Sequence, residues 1–267
     1  MIRHEDIWRA IDAGRLRVFF RRSSDGGKTW NSPLLISDNS PTVSVSPPAI
    51  ATAAGGDDGK IYVVWADGRS RVVGPQTFKV KEVYLAVSDD HGATFSAARP
   101  VSSADGFSSW TPAVAAWSGT VHVGWTDERD DLGECSAGMN PCREEEYYRR
   151  STDGGQTWTP EVRLTADPAG APKESWAPSI AVWQNAVHFT YLDKRSGFFQ
   201  VYYRRSLDGG STWAPEVLVP SDPLYMNAAR PTVAARGSEV LLGWFGFTAF
   251  EADIYDAVST DSGASFS

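Results

Sequence analysis

Four stretches of the chain alternate apolar and polar residues with a period of two: EVYLAVS (82–88), EEYYRRS (145–151), QVYYRRS (200–206) and DIYDAVS (253–259). Each predicts a β-strand. Each runs into a box of the form Ser-x-Asp-x-Gly-x-x-aromatic, and a further copy opens the series: SSDGGKTW from Ser23, SDDHGATF from Ser88, STDGGQTW from Ser151, SLDGGSTW from Ser206 and STDSGASF from Ser259. Behind the boxes come short strands with Pro, TFSAARPVS, TWTPEVRLT and TWAPEVLVP. A small apolar strand introduced by Pro follows (PPAIAT, TPAVAAW, APSIAVW, RPTVAA), and then another (KIYVVWADGR, TVHVGWTDER, AVHFTYLDKR, EVLLGWFGF). The unit is therefore four strands, a-b-c-d, with the box as the c–d hairpin turn. In that turn Asp25, Asp90, Asp153, Asp208 and Asp261 accept turn N–H groups, Gly supplies a positive φ and the aromatic packs inward. Helical periodicity is absent except around Glu5–Ile11. Four-stranded units at a fixed period predict an all-β propeller.

The boxes resemble the Asp-box (BNR) repeats of the sialidase/neuraminidase superfamily, and the resemblance covers residues 16–267. It implies a sialidase-like propeller of the six-bladed type, with the boxes as structural turns away from the functional face. The chain reads as a single domain of units 1–40 (partial), 41–104, 105–167, 168–221 and 222–267 (partial). That strand tally expects an incomplete ring, with a five-bladed ring as the alternative.

Function in a propeller is expected where the d–a and b–c connections meet around the central channel. The b–c connections repeat an Asp and an Arg two apart: Asp67 and Arg69, Asp127 and Arg129, Asp193 and Arg195. Pairing within the ring is the favoured reading, and a guanidinium rim for an anionic ligand is the other. The d–a connections differ from one another. Trp110 and Trp176 hold matching positions two before the strand-a Pro, as sugar-stacking platforms or as wedges between blades. Arg230 directly precedes Pro231, and strand alternation points it to the other face.

For catalysis, the resemblance implies a Tyr nucleophile paired with a Glu, an Asp acid/base and three arginines. By position Glu174 resembles the Glu, Arg195 one of the arginines, and Tyr225 is the best Tyr. The family's Arg-Ile-Pro signature is absent: its Arg position holds Ser46, Trp110, Trp176 and Ala229. The expected function is therefore glycan recognition or processing outside the cell, in the extracellular space, at the cell surface or in the periplasm. A binding module is favoured over a complete exo-sialidase-type glycoside hydrolase.

Composition narrows the partners. A net charge of -8 argues against nucleic acid, and no apolar run is long enough to span a bilayer. Eleven Trp suit a β protein with ring-lined surfaces. Cys135 and Cys142 flank a short Gly-, Asn- and Pro-containing loop. A disulfide is the preferred reading, with free thiols in a reduced compartment as the alternative. No metal or cofactor is expected. Calcium at the acidic insertion around Glu128–Glu146 is a minor alternative.

Overall fold

The computed structural model describes residues 16–38, 44–56, 59–73, 76–130, 144–166, 174–219, 227–247 and 251–267. They form strands β1 (Phe19–Phe20), β2 (Leu34–Leu35), β3 (Ser44–Val45), β4 (Ala49–Thr52), β5 (Ile61–Val73), β6 (Gln76–Ser88), β7 (Arg99–Pro100), β8 (Ser109–Trp117) and β9 (Thr120–Asp127). The series continues with β10 (Glu145–Ser151), β11 (Val162–Arg163), β12 (Ser175–Trp183), β13 (Ala186–Asp193), β14 (Gln200–Ser206), β15 (Val217–Leu218), β16 (Asn227–Arg236), β17 (Glu239–Phe247) and β18 (Ala252–Ser259). No helix occurs among the described residues.

Successive strands pair antiparallel into small sheets. β8–β11 and β12–β15 each have four strands in meander order. β16–β18 make a three-stranded sheet, and β3–β7 a five-stranded one. This is the fold of a β-propeller. One connection departs from the sequence reading: Trp65–Arg69 is not a b–c loop. β5 runs on through Asp67 and Arg69 to Val73 and pairs with β6 along its whole length, making a long hairpin.

The core lies between consecutive sheets. Tyr62, Val64 and Leu85 of one sheet pack on Val114, Val123 and Trp125 of the next. Ala113, Ala115 and Tyr148 then pack on Ile180, Phe189 and Tyr191. Trp65, Trp125, Tyr191 and Trp244 stand at matching places in strand b, all buried. Each is worth roughly 1.5–3 kcal/mol of burial.

All five boxes make the same bonds. In the third, Ser151 Oγ donates to Asp153 Oδ1 (2.6 Å) and accepts Gly155 N–H (2.8 Å). Thr157 donates its N–H to Oδ1 (2.9 Å) and its hydroxyl to Oδ2 (2.5 Å). The Asp is the exposed member, and the Ser is buried in the last four boxes. The fourth residue ties the box to the a–b turn of its own sheet: Gly154 N–H donates to Gly119 O, and Gly209 N–H to Asn185 O. The fifth is always Gly, and in the last four boxes it faces the preceding sheet. A Cβ on Gly210 would lie 1.9 Å from the Tyr148 hydroxyl.

In the sheets β8–β11 and β12–β15, two arginines at the end of strand c tie the sheet to both neighbours. Arg149 donates to Val101 O (2.6 Å) and Arg150 to Gly209 O (2.5 Å). Arg204 and Arg205 repeat this toward Leu164 O and Ser262 O.

Candidate functional site

The first residues of strand a lie at the end of the sheets opposite the boxes. There the strand is broken by a bulge, between Trp110 and Ala113, Trp176 and Ser179, and Ala229 and Thr232. Inside each bulge the residue before Pro has a positive φ: Thr111 (43°), Ala177 (60°) and Arg230 (51°). A non-glycine, pre-proline residue disfavours that region, so the tertiary structure holds it there. Such bulges re-aim side chains. They also break the alternation that would have set the direction of Arg230, whose side chain is exposed.

In two neighbouring sheets the re-aimed strands bring Trp110 and Trp176 to one cleft of about 330 Å³, together with Thr111, Thr126, Glu144 and Glu174. Trp176 is 38% exposed and is braced edge-on by Phe199 at 5.6 Å. Lys81 Nζ lies 4.9 Å from the Trp110 ring centroid. The backbones of Glu144 and Glu174 meet in a parallel bridge, with Ser175 N–H donating to Glu144 O at 2.7 Å. Lys194 Nζ donates to Glu174 Oε2 at 3.0 Å. Behind the floor, Thr111 and Thr126 share a hydroxyl bond of 2.8 Å, and Thr126 donates to Glu146 Oε1 at 3.0 Å. Glu146 has no exposed surface, and burial raises its carboxyl well above the ordinary range. Its other oxygen meets no partner, which suits a neutral acid better than an ion.

The Asp–Arg pairs close on themselves. Arg129 is held by Asp127 through both carboxylate oxygens (2.8 and 2.7 Å), by Glu161, and by Asp105 at 3.3 Å. Its guanidinium lies over Tyr147 at 4.3 Å. Arg195 repeats the arrangement with Asp193 (2.5 Å), Glu216 (2.7 Å) and the Tyr202 ring (4.3 Å). Burial alone would lower both guanidinium pKa values, but the bonds to these carboxylates outweigh it and raise them. Glu161 and Glu216 open matching d strands. Each also accepts a backbone N–H from the preceding d–a connection, Ser103 and Ala166 respectively.

The structure thus brings Glu174, Trp110 and Trp176 together. Arg195 is engaged by two carboxylates. Tyr225, Cys135, Cys142 and the Arg69 side chain lie outside the described residues, as does most of the acidic insertion. Among the described residues no three His, Cys, Asp or Glu side chains group to hold a metal. No described helix is long and apolar enough to cross a membrane. The bulges, the two d-strand glutamates and the Arg149–Arg150 clamp were missed from sequence. The signals were present in Trp-x-Pro, Pro-Glu-Val and Tyr-Tyr-Arg-Arg-Ser.

The BNR/Asp-box repeat family model matches residues 149–160, the third box and its flanks. A sialidase described as Hadza microbial sialidase Hz136 superposes with a TM-score of 0.56 at 18% identity, over 94% of this chain and 51% of its own. A Trypanosoma rangeli sialidase bound to the inhibitor DANA gives 0.58 at 15%, over 94% and 40%. The chain has the fold of a sialidase-like propeller and carries an Asp-box repeat. A polysaccharide lyase, an ulvan lyase, also superposes on the propeller, with a TM-score of 0.60 at 12% identity over 92% of this chain and 59% of its own. At these identities the likeness is one of fold, and a fold hosts many chemistries. The propeller spans about half or less of either sialidase chain. By sequence, no curated protein matches it.

Proposed function

We propose that the propeller is a glycan-binding module outside the cell, with its site at the Trp110–Trp176 cleft. The observation that carries this reading is the convergence of two indoles with Glu144, Glu174 and Thr111 on one cleft. Indole faces take the C–H face of a sugar ring, while carboxylates and hydroxyls take its O–H groups. Arg129 and Arg195 are spent on ring-building carboxylates, so neither is poised to clamp an anionic sugar. In a panel of immobilised glycans the propeller retains at least one glycan. Trp110→Ala and Trp176→Ala each weaken that binding at least about tenfold, whereas Glu174→Gln changes it little. Absence of binding across the panel, or indifference to both Trp changes, counts against the proposal.

An exo-sialidase-type hydrolase is the second reading, favoured by the place of Glu174 in the same cleft. It requires release of sialic acid from a fluorogenic sialoside, with turnover lost and binding kept in Glu174→Gln. The glycan-binding reading expects no such turnover.

A further inference from the structure

The box end of the propeller carries a second cavity, of about 480 Å³, between the sheet β8–β11 and the sheet β12–β15. That size is within the range of small-molecule sites, about 300–1,000 Å³. One wall is Trp117. It is fixed between Gly55, where a Cβ would lie 2.7 Å from the indole, and Trp183, 4.9 Å away between centroids. The other walls are polar: Thr120, Thr152, Gln184, Asn185 and Arg150. The side-chain amides of Gln184 and Asn185 and the hydroxyls of Thr120 and Thr152 make no hydrogen bond among the described residues. Gln184 is held at φ 54°, a left-handed conformation that costs a non-glycine residue about 1–2 kcal/mol.

The cavity's formal charges are already committed. Asp208 is bonded by Ser206, Ser211 and Thr212 of its own box. Arg150 uses Nη1 on Gly209 O. His122 bonds the Tyr148 hydroxyl at 2.7 Å, and burial lowers its pKa to about 3, so it is uncharged at neutral pH.

The next crevice round the ring is an internal control. Its frame is the same: His188 bonds Tyr203, and Arg205 donates to Ser262 O. Both amides and two hydroxyls are lost there, because Ala186, Leu207, Gly237 and Ser238 stand where Thr120, Thr152, Gln184 and Asn185 stand here, and Ser238 alone keeps a polar side chain. The frame is therefore architectural, and the amides and hydroxyls are a local addition.

We infer that this crevice is a second binding site, for a neutral pyranose unit, with Trp117 against the ring and Gln184 and Asn185 bridging adjacent hydroxyls. A carboxamide offers one donor edge and one acceptor, which matches a vicinal diol. Because no carboxylate or guanidinium is wholly free, the site prefers neutral sugars to charged ones.

The test is NMR titration of the full chain with glucose, galactose, mannose and N-acetylglucosamine, and with glucosamine and sialic acid as charged contrasts. The Trp117 indole N–H resonance, assigned with Trp117→Phe, reports on the site. At least one neutral sugar shifts it, and more strongly than either charged one. Gln184→Gly removes the amide and relieves the left-handed backbone, so it melts no lower than the parent yet weakens the sugar at least about tenfold. Thr152→Leu, which copies the next crevice, does the same. Trp176→Ala, at the opposite end, leaves this response intact, so failure here is separable from failure of the Trp110–Trp176 cleft. Silence of the Trp117 signal toward all the neutral sugars overturns the inference. So does a stronger response to a charged sugar, or a response that survives both Gln184→Gly and Thr152→Leu.

Discussion

The two ends of the propeller solve different problems with the same strands. At the box end, one set of bonds is repeated five times, and Asp and Ser meet the same partners in every copy. At the opposite end the strand-a leads differ: Trp110-Thr111, Trp176-Ala177 and Ala229-Arg230 occupy one bulge geometry with different chemistry. Repetition marks what turns and joins the chain. Binding is proposed where one unit departs from its neighbours while sharing their frame. Both cavities fit that rule, since the second lies among the boxes yet is built from residues that only one crevice carries.

The largest effect that could break this contrast is at a ring-building arginine. Arg195→Met leaves the buried Asp193 and the half-buried Glu216 without their cation, and is expected to cost about 3–5 kcal/mol. Urea unfolding measures it, and a near-neutral result would free Arg195 for a ligand. Gly210→Ala comes next. The new methyl would meet the Tyr148 hydroxyl at a backbone φ of 82°, and overpacking and left-handed strain together cost about 3 kcal/mol. Gly27→Ala, at the same place in the first box with φ 86° but open space around it, should cost only about 1–2 kcal/mol. The difference between the two isolates the inter-sheet contact. Ser151→Ala strands the buried Gly155 N–H, for about 1–3 kcal/mol.

The remaining effects are read in pH. Burial pushes Glu82 up to about 7 from an unfolded value of 4.5, although the Ser102 hydroxyl opposes the rise. A carboxyl with a raised folded pKa binds more protons in the native state, so its contribution falls as pH rises from about 4.5 to 7. The box aspartates run the other way. In Asp25 the bonds from Thr29 and Ser23 lower the pKa to about 2 from 3.8, so stability is kept above about pH 4 and lost as pH falls toward 2. Glu82→Gln should flatten only the upper limb of the stability–pH curve.

Much of this molecule was readable in its sequence, for a physical reason. A period of two, a box every blade and a Pro before each strand a are local signals, and they specify a propeller of short hairpins. Trp110, Trp176 and Glu174 could be put near one another because repeats convert sequence position into spatial position. What escaped was non-local or against propensity. Arg129 and Arg195 close on glutamates of the d strand, 32 and 21 residues further along the chain. Thr111, Ala177 and Arg230 adopt a conformation that a following Pro disfavours. β5 and β6 continue through an Asp-Gly-Arg stretch that reads as a turn, because pairing to Val73 and Gln76 outweighs the glycine.

The division between the two ends is tested most directly by measuring glycan affinity and melting temperature together for Trp176→Ala and Asp153→Ala. The account predicts that Trp176→Ala loses at least about tenfold in affinity with little change in melting. Asp153→Ala should melt earlier and bind with unchanged affinity per folded molecule. Loss of affinity in fully folded Asp153→Ala, with binding retained in Trp176→Ala, would contradict it.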